Sequence, residues 1–160
     1  MKEINKIFYK ILLILIIFSA NAESKVIFEG KPEAKVIVKV FSSLTCPSCA
    51  NWHSKIFYQM KKEFIDKGLV RFEHHPFPLD LAALNAEIIL RCHVDNKKRL
   101  GLLDKIYEKQ NTWAVGSDIN MINDSIKKVG SEIGLNNDEM NTCLKNEKTQ
   151  DEILTQRINA

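Results

Sequence analysis

Hydrophobic and polar positions follow two different patterns along the chain, and the change between them falls near residue 80. Before that point, the apolar run Val36 to Phe41 and the alternating run Leu69 to His75 are typical of strands, and Lys25 to Glu29 predicts a shorter strand ahead of them. Between the two longer runs, apolar residues repeat every four positions, as in a core-facing helix: Trp52, Ile56, Met60 and Phe64, joined by Phe57 and Ile65. Gly68 is the expected helix stop. Strand, helix and strand in about 40 residues predict a βαβ unit with parallel strands, in which Val36 to Phe41 is buried on both faces.

From Asp80 onward the strand-like pattern disappears and four helical stripes follow. Their apolar members are Leu81, Leu84, Ile88, Ile89 and Cys92, then Leu100, Leu103, Ile106 and Tyr107, then Ile119, Ile122, Ile126 and Val129, and finally Met140, Cys143 and Leu144. Ser117 is the expected N-cap of the third helix, the fourth begins behind Asn137, and Asp151 to Ala160 predicts the start of another. The pattern therefore indicates an α/β fold with an all-helical insertion over about residues 80–148.

The N-terminal segment has the pattern of an export signal. Three lysines, Lys2, Lys6 and Lys10, precede the apolar run Ile11 to Phe18, and Ala20-Asn21-Ala22 has the small-x-small pattern of a signal peptidase site. We expect residues 1–22 to be a signal peptide cleaved after Ala22, with the domain occupying residues 23–160 and residing in the periplasm or outside the cell. The alternative is an uncleaved membrane anchor, but the apolar run is well short of the roughly 20 residues that span a bilayer.

Composition and charge narrow the function classes. With 160 residues, 45% hydrophobic and 27% charged, the chain suits one globular domain. The formal charge of +3 falls to +1 once the signal peptide is removed, so nothing in the charge indicates a nucleic-acid partner. All four cysteines lie beyond Ala22, and an exported protein with an even number of cysteines is expected to pair them as disulfides.

The candidate chemistry lies at the predicted strand-to-helix junction, in Cys46-Pro47-Ser48-Cys49. Pro47 suits the first helical position, so Cys46 falls at the N-cap, where unpaired backbone N–H groups and the helix dipole favour a thiolate. We therefore expect Cys46 to be the attacking sulfur and Cys49 to resolve the mixed disulfide. Two alternatives remain: a structural bridge, and a zinc site in which His53 and a further His or Cys join both cysteines.

Further landmarks follow the dithiol in order, and together they resemble the DsbA-like branch of the thioredoxin superfamily from about residue 26 to the end. They are Thr45-Cys46-Pro47-Ser48-Cys49, His75-Pro76-Phe77-Pro78-Leu79-Asp80, Arg91-Cys92, Gln110-Asn111-Thr112-Trp113 and Cys143-Leu144. The resemblance implies a thioredoxin-like fold with a helical insertion and a thiol:disulfide oxidoreductase without a bound cofactor or metal. It also implies reduced or unfolded secreted proteins as substrates and a membrane partner that reoxidises the dithiol.

The resemblance assigns roles to individual residues as well. Cys46 and Cys49 would be catalytic within a motif completed by Thr45, Pro47 and Ser48. Cys92 and Cys143 would form a structural disulfide, the alternative being two buried free thiols. Ser48 replaces the histidine of strongly oxidising members, so a less oxidising pair is expected.

In one respect the sequence departs from that family, whose last helix leads to two more strands, the first with a cis-proline beside the dithiol, and a further helix. Proline occurs only at Pro32, Pro47, Pro76 and Pro78, none of which is at that place. We therefore expect an incomplete fold lacking this strand pair and helix, with Val36 to Phe41 as an exposed apolar edge, and a mature chain that is poorly soluble or inactive. A non-catalytic interaction domain of the same fold is the remaining alternative.

The histidines and Trp52 are expected to have structural roles. We expect His74 and His75 to be hydrogen-bonded residues at a strand end and His53 to lie on a solvated helix face. Trp52 is expected in the core rather than in a substrate groove.

Overall fold

Three strands form one sheet in the order β1-β3-β2, where β1 is Ile27–Glu29, β2 is Val36–Ser42 and β3 is Val70–Pro76. They belong to a computed structural model that describes residues 26–160, so the expected signal peptide lies outside the described residues. β2 and β3 run parallel, which confirms the βαβ prediction, and β1 pairs with β3 in the antiparallel sense. β3 is therefore the central strand, and both strands of the parallel pair end at the same edge of the sheet.

The position of β2 corrects one expectation from the sequence. Within residues 26–160 no strand pairs with its outer side, so β2 is an edge strand and is not buried on both faces. Val36, Ile37 and Phe41 expose 53%, 44% and 46% of their surfaces, whereas Val38 and Val40 pack against the core. The exposed apolar edge expected for a fold without the extra strand pair is present in the described chain.

The helical stretch α1, residues 47–65, connects β2 to β3 and alternates between two helix types. Pro47–Trp52 and Tyr58–Met60 are α-helical, and His53–Phe57 and Lys61–Ile65 are π-helical. Gly68, in the left-handed conformation with φ 73°, follows the helix as predicted.

The buried face of α1 differs from the predicted one. Phe57 and Ile65 are buried, and so is His53, whereas Ile56 and Phe64 are exposed. The residues that face the core follow the predicted four-residue series by one position. Because one of them is the polar His53, the hydrophobic pattern does not indicate this face. The expectation of a solvated His53 is therefore wrong. Trp52 is half-buried, and its ring stacks on that of Phe72 with centroids 6.3 Å apart.

Six helices follow β3 in the described chain, and they confirm the all-helical block. They are α2 (Leu81–Leu90), α3 (Asn96–Glu108), α4 (Gln110–Trp113), α5 (Ile119–Ser131), α6 (Asn137–Leu144) and α7 (Glu147–Ile158). Asp118 caps α5 in place of the expected Ser117, and Asn136 caps α6 in a reciprocal capping box with Glu139. None of the helices within residues 26–160 combines the length and the apolar character that crossing a membrane requires.

The hydrophobic core lies between the sheet and this helical block. α2 is its centre, because Ala86 to Leu90 are buried on every side of the helix, which packs against α3, α5, α6 and α7. Phe72 of β3 and Leu102, Leu103 and Ile106 of α3 complete the same apolar cluster. The carboxyl end of β2 meets the helical block directly, since Ser42 accepts a hydrogen bond from Tyr107 of α3.

Candidate active site

Cys46 and Cys49 lie where β2 gives way to α1. Cys46 is the N-cap with an extended backbone, and Pro47 takes the first helical turn, as the sequence predicts. The Cys46 carbonyl accepts hydrogen bonds from the backbone N–H groups of Cys49 and Ala50, both at 3.1 Å. Both thiols are unbonded and half-buried, while Pro47 and Ser48 between them are exposed. The pair thus lies at the surface, on a hydrogen-bonded turn.

The two thiols differ in their ease of ionisation. Burial opposes ionisation of Cys46, but hydrogen bonds from the Cys49 thiol and from the backbone N–H groups of Cys49 and Ser48 outweigh it and hold its pKa below the ordinary cysteine value. Burial raises the pKa of Cys49, and its hydrogen bond to Cys46 adds to that rise, against a backbone hydrogen bond from Ser43. Cys46, which we call the outer sulfur, is therefore the better nucleophile. Cys49, the inner sulfur, more readily keeps its proton.

Side chains from the helical block hold the active turn. Gln110 of α4 donates from Nε2 to the carbonyls of Leu44, at 2.8 Å, and Cys46, at 3.1 Å. The Thr45 hydroxyl donates to Asp80 Oδ2 at 2.7 Å, and the other oxygen of Asp80 caps α2 by accepting from the Ala83 N–H. Gln110 and Asp80 belong to the landmarks that carry the family resemblance, but no pattern in the sequence indicates that they hold this turn.

A cavity of about 460 Å³ lies against the inner side of the dithiol. Cys49 and Trp52 of α1 form one wall, β2 from Lys39 to Ser42 forms another, and Tyr107 of α3 closes it. Cys46 is outside this lining, so the cavity is associated with the inner sulfur.

A buried polar chain leads away from this cavity. The Tyr107 hydroxyl donates to Ser42 Oγ at 2.9 Å, and Ser42 Oγ lies 3.3 Å from His74 Nδ1. His74 Nε2 lies 2.7 Å from Glu87 Oε1, and Arg91 pairs with the other oxygen of Glu87. Full burial opposes ionisation of Glu87, but the charges and hydrogen bonds of His74 and Arg91 hold its pKa below the ordinary value. The role of Glu87 is not evident from the sequence, in which it is one polar residue in an apolar helix.

The remaining histidines near the site are hydrogen-bonded. His53 Nε2 lies 2.7 Å from Asp104 Oδ1, and its ring stacks on Phe57 with centroids 4.5 Å apart. His75 Nε2 lies 3.1 Å from Glu73 Oε2. Across residues 26–160, no three His, Cys, Asp or Glu side chains are grouped so that they could hold a metal ion.

The other two cysteines lie far from the dithiol in the chain but close to each other. Cys92, just after α2, and Cys143 in α6 are joined by a disulfide, with their Cα atoms 5.8 Å apart. Both residues are half-buried, and the bridge connects segments separated by 51 positions.

The sheet, the dithiol at a helix start and the helical insertion define a thioredoxin-like fold of the kind seen in DsbA structures. The chain matches the family described as Thioredoxin over residues 22–160, and it therefore belongs to that family.

Individual relatives agree with this placement. A putative protein-disulfide oxidoreductase of Rickettsia bellii is 28% identical over 125 residues, covering 78% of this chain and 47% of the relative. Disulfide bond formation protein D of Bacillus subtilis is 37% identical over 86 residues, covering 51% of this chain and 38% of that protein. The chain thus spans about half the length, or less, of the curated relatives it matches.

Solved structures show the same fold. The crystal structure of Wolbachia pipientis alpha-DsbA1 superposes with a TM-score of 0.77 at 22% identity, covering 86% of this chain and 68% of that one. BdbD of Bacillus subtilis gives a TM-score of 0.68 at 22% identity, covering 84% of this chain and 74% of that one. At this level of identity the likeness concerns the fold.

Proposed function

We propose that the chain is an exported thiol:disulfide oxidoreductase that forms or exchanges disulfide bonds in secreted proteins through Cys46 and Cys49. The observation that carries the proposal is the placement of two free thiols at the start of α1, with Cys46 at the N-cap and Cys49 against the cavity. The lowered pKa of Cys46 and the raised pKa of Cys49 agree with this placement. Thiol–disulfide exchange needs an accessible thiolate to react with substrate and a second thiol beside it to complete the exchange. The reaction named for the Rickettsia relatives supports the same class of activity.

In the oxidising direction the reaction begins with the Cys46–Cys49 disulfide. A substrate thiolate attacks Cys46 Sγ, the bond between the cysteines breaks, and Cys49 leaves as a thiolate. The second substrate thiolate then attacks the substrate sulfur of the mixed disulfide, and Cys46 leaves as the stabilised thiolate. Two electrons pass from the substrate thiols to the Cys46–Cys49 disulfide, which becomes a dithiol. A membrane partner that reoxidises this dithiol completes the cycle. Thr45, Pro47 and Ser48 shape the turn on which this exchange occurs.

The direction of net reaction depends on the reduction potential. A stabilised Cys46 thiolate favours the reduced enzyme and hence oxidation of substrates, whereas Ser48 in place of histidine favours a milder oxidant. Equilibration with glutathione buffers measures this balance. A potential near that of thioredoxin, about −270 mV, would instead make the protein a reductase.

Export is supported by the order of three segments in residues 1–22: a lysine-containing start, an apolar run and a small-x-small site with cleavage after Ala22. Reduced or unfolded secreted proteins are then the substrates, in the periplasm or outside the cell. Cys92 and Cys143 act as a structural disulfide in this proposal.

The decisive experiment compares Cys46→Ser with Cys49→Ser in peptide oxidation and insulin reduction. We expect Cys46→Ser to abolish turnover and to form no mixed disulfide. Cys49→Ser should also lose turnover but accumulate a covalent complex through Cys46, because the attacking thiolate remains and the resolving thiol is gone. Cys46→Ser with wild-type turnover would contradict the proposal, and a wild type without turnover would indicate a non-catalytic interaction domain.

A further inference from the structure

The buried polar chain beneath the dithiol runs from a tyrosine at the cavity to a carboxylate inside the helical block. Tyr107, Ser42, His74 and Glu87 come from α3, β2, β3 and α2 respectively, and none exposes more than 6% of its surface. Four elements thus contribute one polar side chain each to a single hydrogen-bonded line. A buried network of this kind favours one core arrangement only when every member is satisfied.

The hydrogen bonds in this line connect its four side chains without a gap. The Tyr107 hydroxyl donates to Ser42 Oγ at 2.9 Å, and Ser42 Oγ lies 3.3 Å from His74 Nδ1, where either atom can be the donor according to the form of the imidazole. With Nδ1 as the acceptor, the neutral imidazole carries its hydrogen on Nε2, where it meets the Glu87 carboxylate.

The proposed function requires a proton to move at Cys49. When substrate attacks Cys46, Cys49 leaves as a thiolate in a half-buried position where the anion is disfavoured. In the reverse direction, Cys49 must lose its proton before it can attack a mixed disulfide at Cys46. A proton donor and acceptor within reach of Cys49 would accelerate both steps.

We propose that Tyr107, Ser42 and His74 form a proton relay for Cys49, with Glu87 positioning His74; this inference rests on the proposed function. As Cys49 leaves, an imidazolium at His74 passes its Nδ1 proton to Ser42, Ser42 passes its own to Tyr107, and Tyr107 passes its own through water in the cavity to the Cys49 sulfur. When Cys49 attacks, the same three transfers run backwards and the positive charge appears beside Glu87. Only protons move along the relay, while the electron pairs of the exchange stay on the sulfur atoms.

The geometry of the cavity supports this relay. Cys49, Ser42, His74 and Tyr107 all line it, whereas Cys46 does not. Its volume of about 460 Å³ has room for water, which occupies about 30 Å³ per molecule, to carry the proton between the sulfur and the Tyr107 hydroxyl.

The other charged groups around the cavity fit the role less well. His53 of α1 lines it and lies four residues after Cys49, but its Nε2 is held by Asp104 of α3, whose side chain is 39% exposed. Lys39 of β2 lies at the exposed rim, and the β1 residue opposite His74 is the apolar Ile27. His74 is the histidine at the cavity that is backed by a fully buried carboxylate.

Stopped-flow reaction of the reduced full chain with Ellman's reagent tests the relay. The reagent reacts first at Cys46 and releases one coloured thiolate, and Cys49 then displaces a second. In Ser42→Ala we expect the second release to slow about a hundredfold near neutral pH and to rise with pH, because hydroxide must now remove the Cys49 proton. The first release should keep the wild-type rate and pH profile, because the relay does not serve Cys46.

Two further variants complete the test. Tyr107→Phe keeps the packed ring, removes the first relay hydroxyl and should reproduce the Ser42→Ala profile, so it decides the matter if Ser42→Ala does not fold. His53→Asn is the matched control, because it alters a buried histidine of the same cavity outside the relay, and its second release should match the wild type. Wild-type second release in Ser42→Ala and Tyr107→Phe overturns the relay, and a slowed His53→Asn assigns the proton to His53 instead. Absence of the first release in the wild type is a separate result, which would refute the proposed function.

Discussion

At the scale of the residue, the chemistry depends on the ionisation of Cys46. Its thiolate is stabilised by the Cys49 thiol and by backbone N–H groups at the start of α1, and these hydrogen bonds outweigh the effect of burial. The N-cap position follows from Pro47, which has no N–H to donate and a backbone angle already suited to a helix. Residue identity and local backbone therefore define the nucleophile together.

The lowered pKa of Cys46 predicts its alkylation profile. We expect the rate of iodoacetamide reaction at Cys46 of the reduced wild-type protein, followed by mass spectrometry, to reach half its plateau at a pH below the value of about 8.5 that an unperturbed cysteine shows. Cys46→Ser, which leaves only the inner thiol, should instead react half-maximally above that value, because burial raises the pKa of Cys49. A Cys46 profile like that of a cysteine in a short peptide would contradict the stabilised thiolate.

Removal of the buried Glu87 carboxylate is expected to lower the free energy of unfolding strongly. Glu87→Ala leaves His74 and Arg91 buried without their carboxylate, and the loss of one partner of a buried ion pair costs about 3–5 kcal/mol. Urea unfolding measures this loss, with Glu132→Ala as the control, because solvent screens the exposed pairs of Glu132 with Lys105 and Lys109. Equal unfolding midpoints for the two variants would show that the buried cluster is not stabilising.

The lowered pKa of Glu87 also determines the direction in which its contribution to stability changes with pH. Because the folded pKa of Glu87 is lowered, its contribution is present above the unfolded value of about 4.3 and is lost as the pH falls through the folded pKa. Glu87→Gln should therefore lose less stability than the wild type on acidification.

At the scale of the element, β2 is a strand with one unpaired side in the described chain. Its edge carries Val36, Ile37 and Phe41, which are all exposed, and Lys39 is its one charged residue. An apolar edge of seven residues offers free backbone donors and acceptors to any other strand. We propose that this edge limits the solubility of residues 23–160.

Ile37→Lys tests the effect of the edge. A second charge on β2 should reduce self-association, measured by light scattering against protein concentration, because it penalises strand pairing. Ile158→Lys is the control, since Ile158 is more exposed, at 82%, but ends a helix instead of lining a sheet. Equal scattering by the two variants would remove the edge as the cause of association.

The elements also show how far sequence reasoning reaches. The βαβ unit, Cys46 at the start of α1 and the helical block could be predicted, because hydrophobic period, proline and glycine act locally. The buried face of α1 could not, because His53 faces the core and interrupts the apolar pattern. The Ser42–His74–Glu87 line was equally hidden, since it joins residues from separate elements that meet only in the folded chain.

At the scale of the whole molecule, the Cys92–Cys143 disulfide ties the helical block together. A loop of 51 residues corresponds to about 4 kcal/mol in the chain-entropy description of a crosslink. We expect Cys92→Ser with Cys143→Ser to lose about that much free energy of unfolding in urea, while the rate of Cys46 alkylation stays at the wild-type value. A loss below about 1 kcal/mol would show that the bridge adds little to folding stability.

The two bonds from the Gln110 side chain to Leu44 and Cys46 have a practical consequence. The turn that carries the two cysteines depends on the helical block, because the side-chain amide of Gln110 in α4 holds two of its backbone carbonyls. Grafting Thr45 to Cys49 onto another scaffold would thus transfer the two sulfurs without the Gln110 hydrogen bonds that hold the turn. A designer who wants this reactivity elsewhere must bring α4 along, or supply a substitute donor aimed at the same two carbonyls.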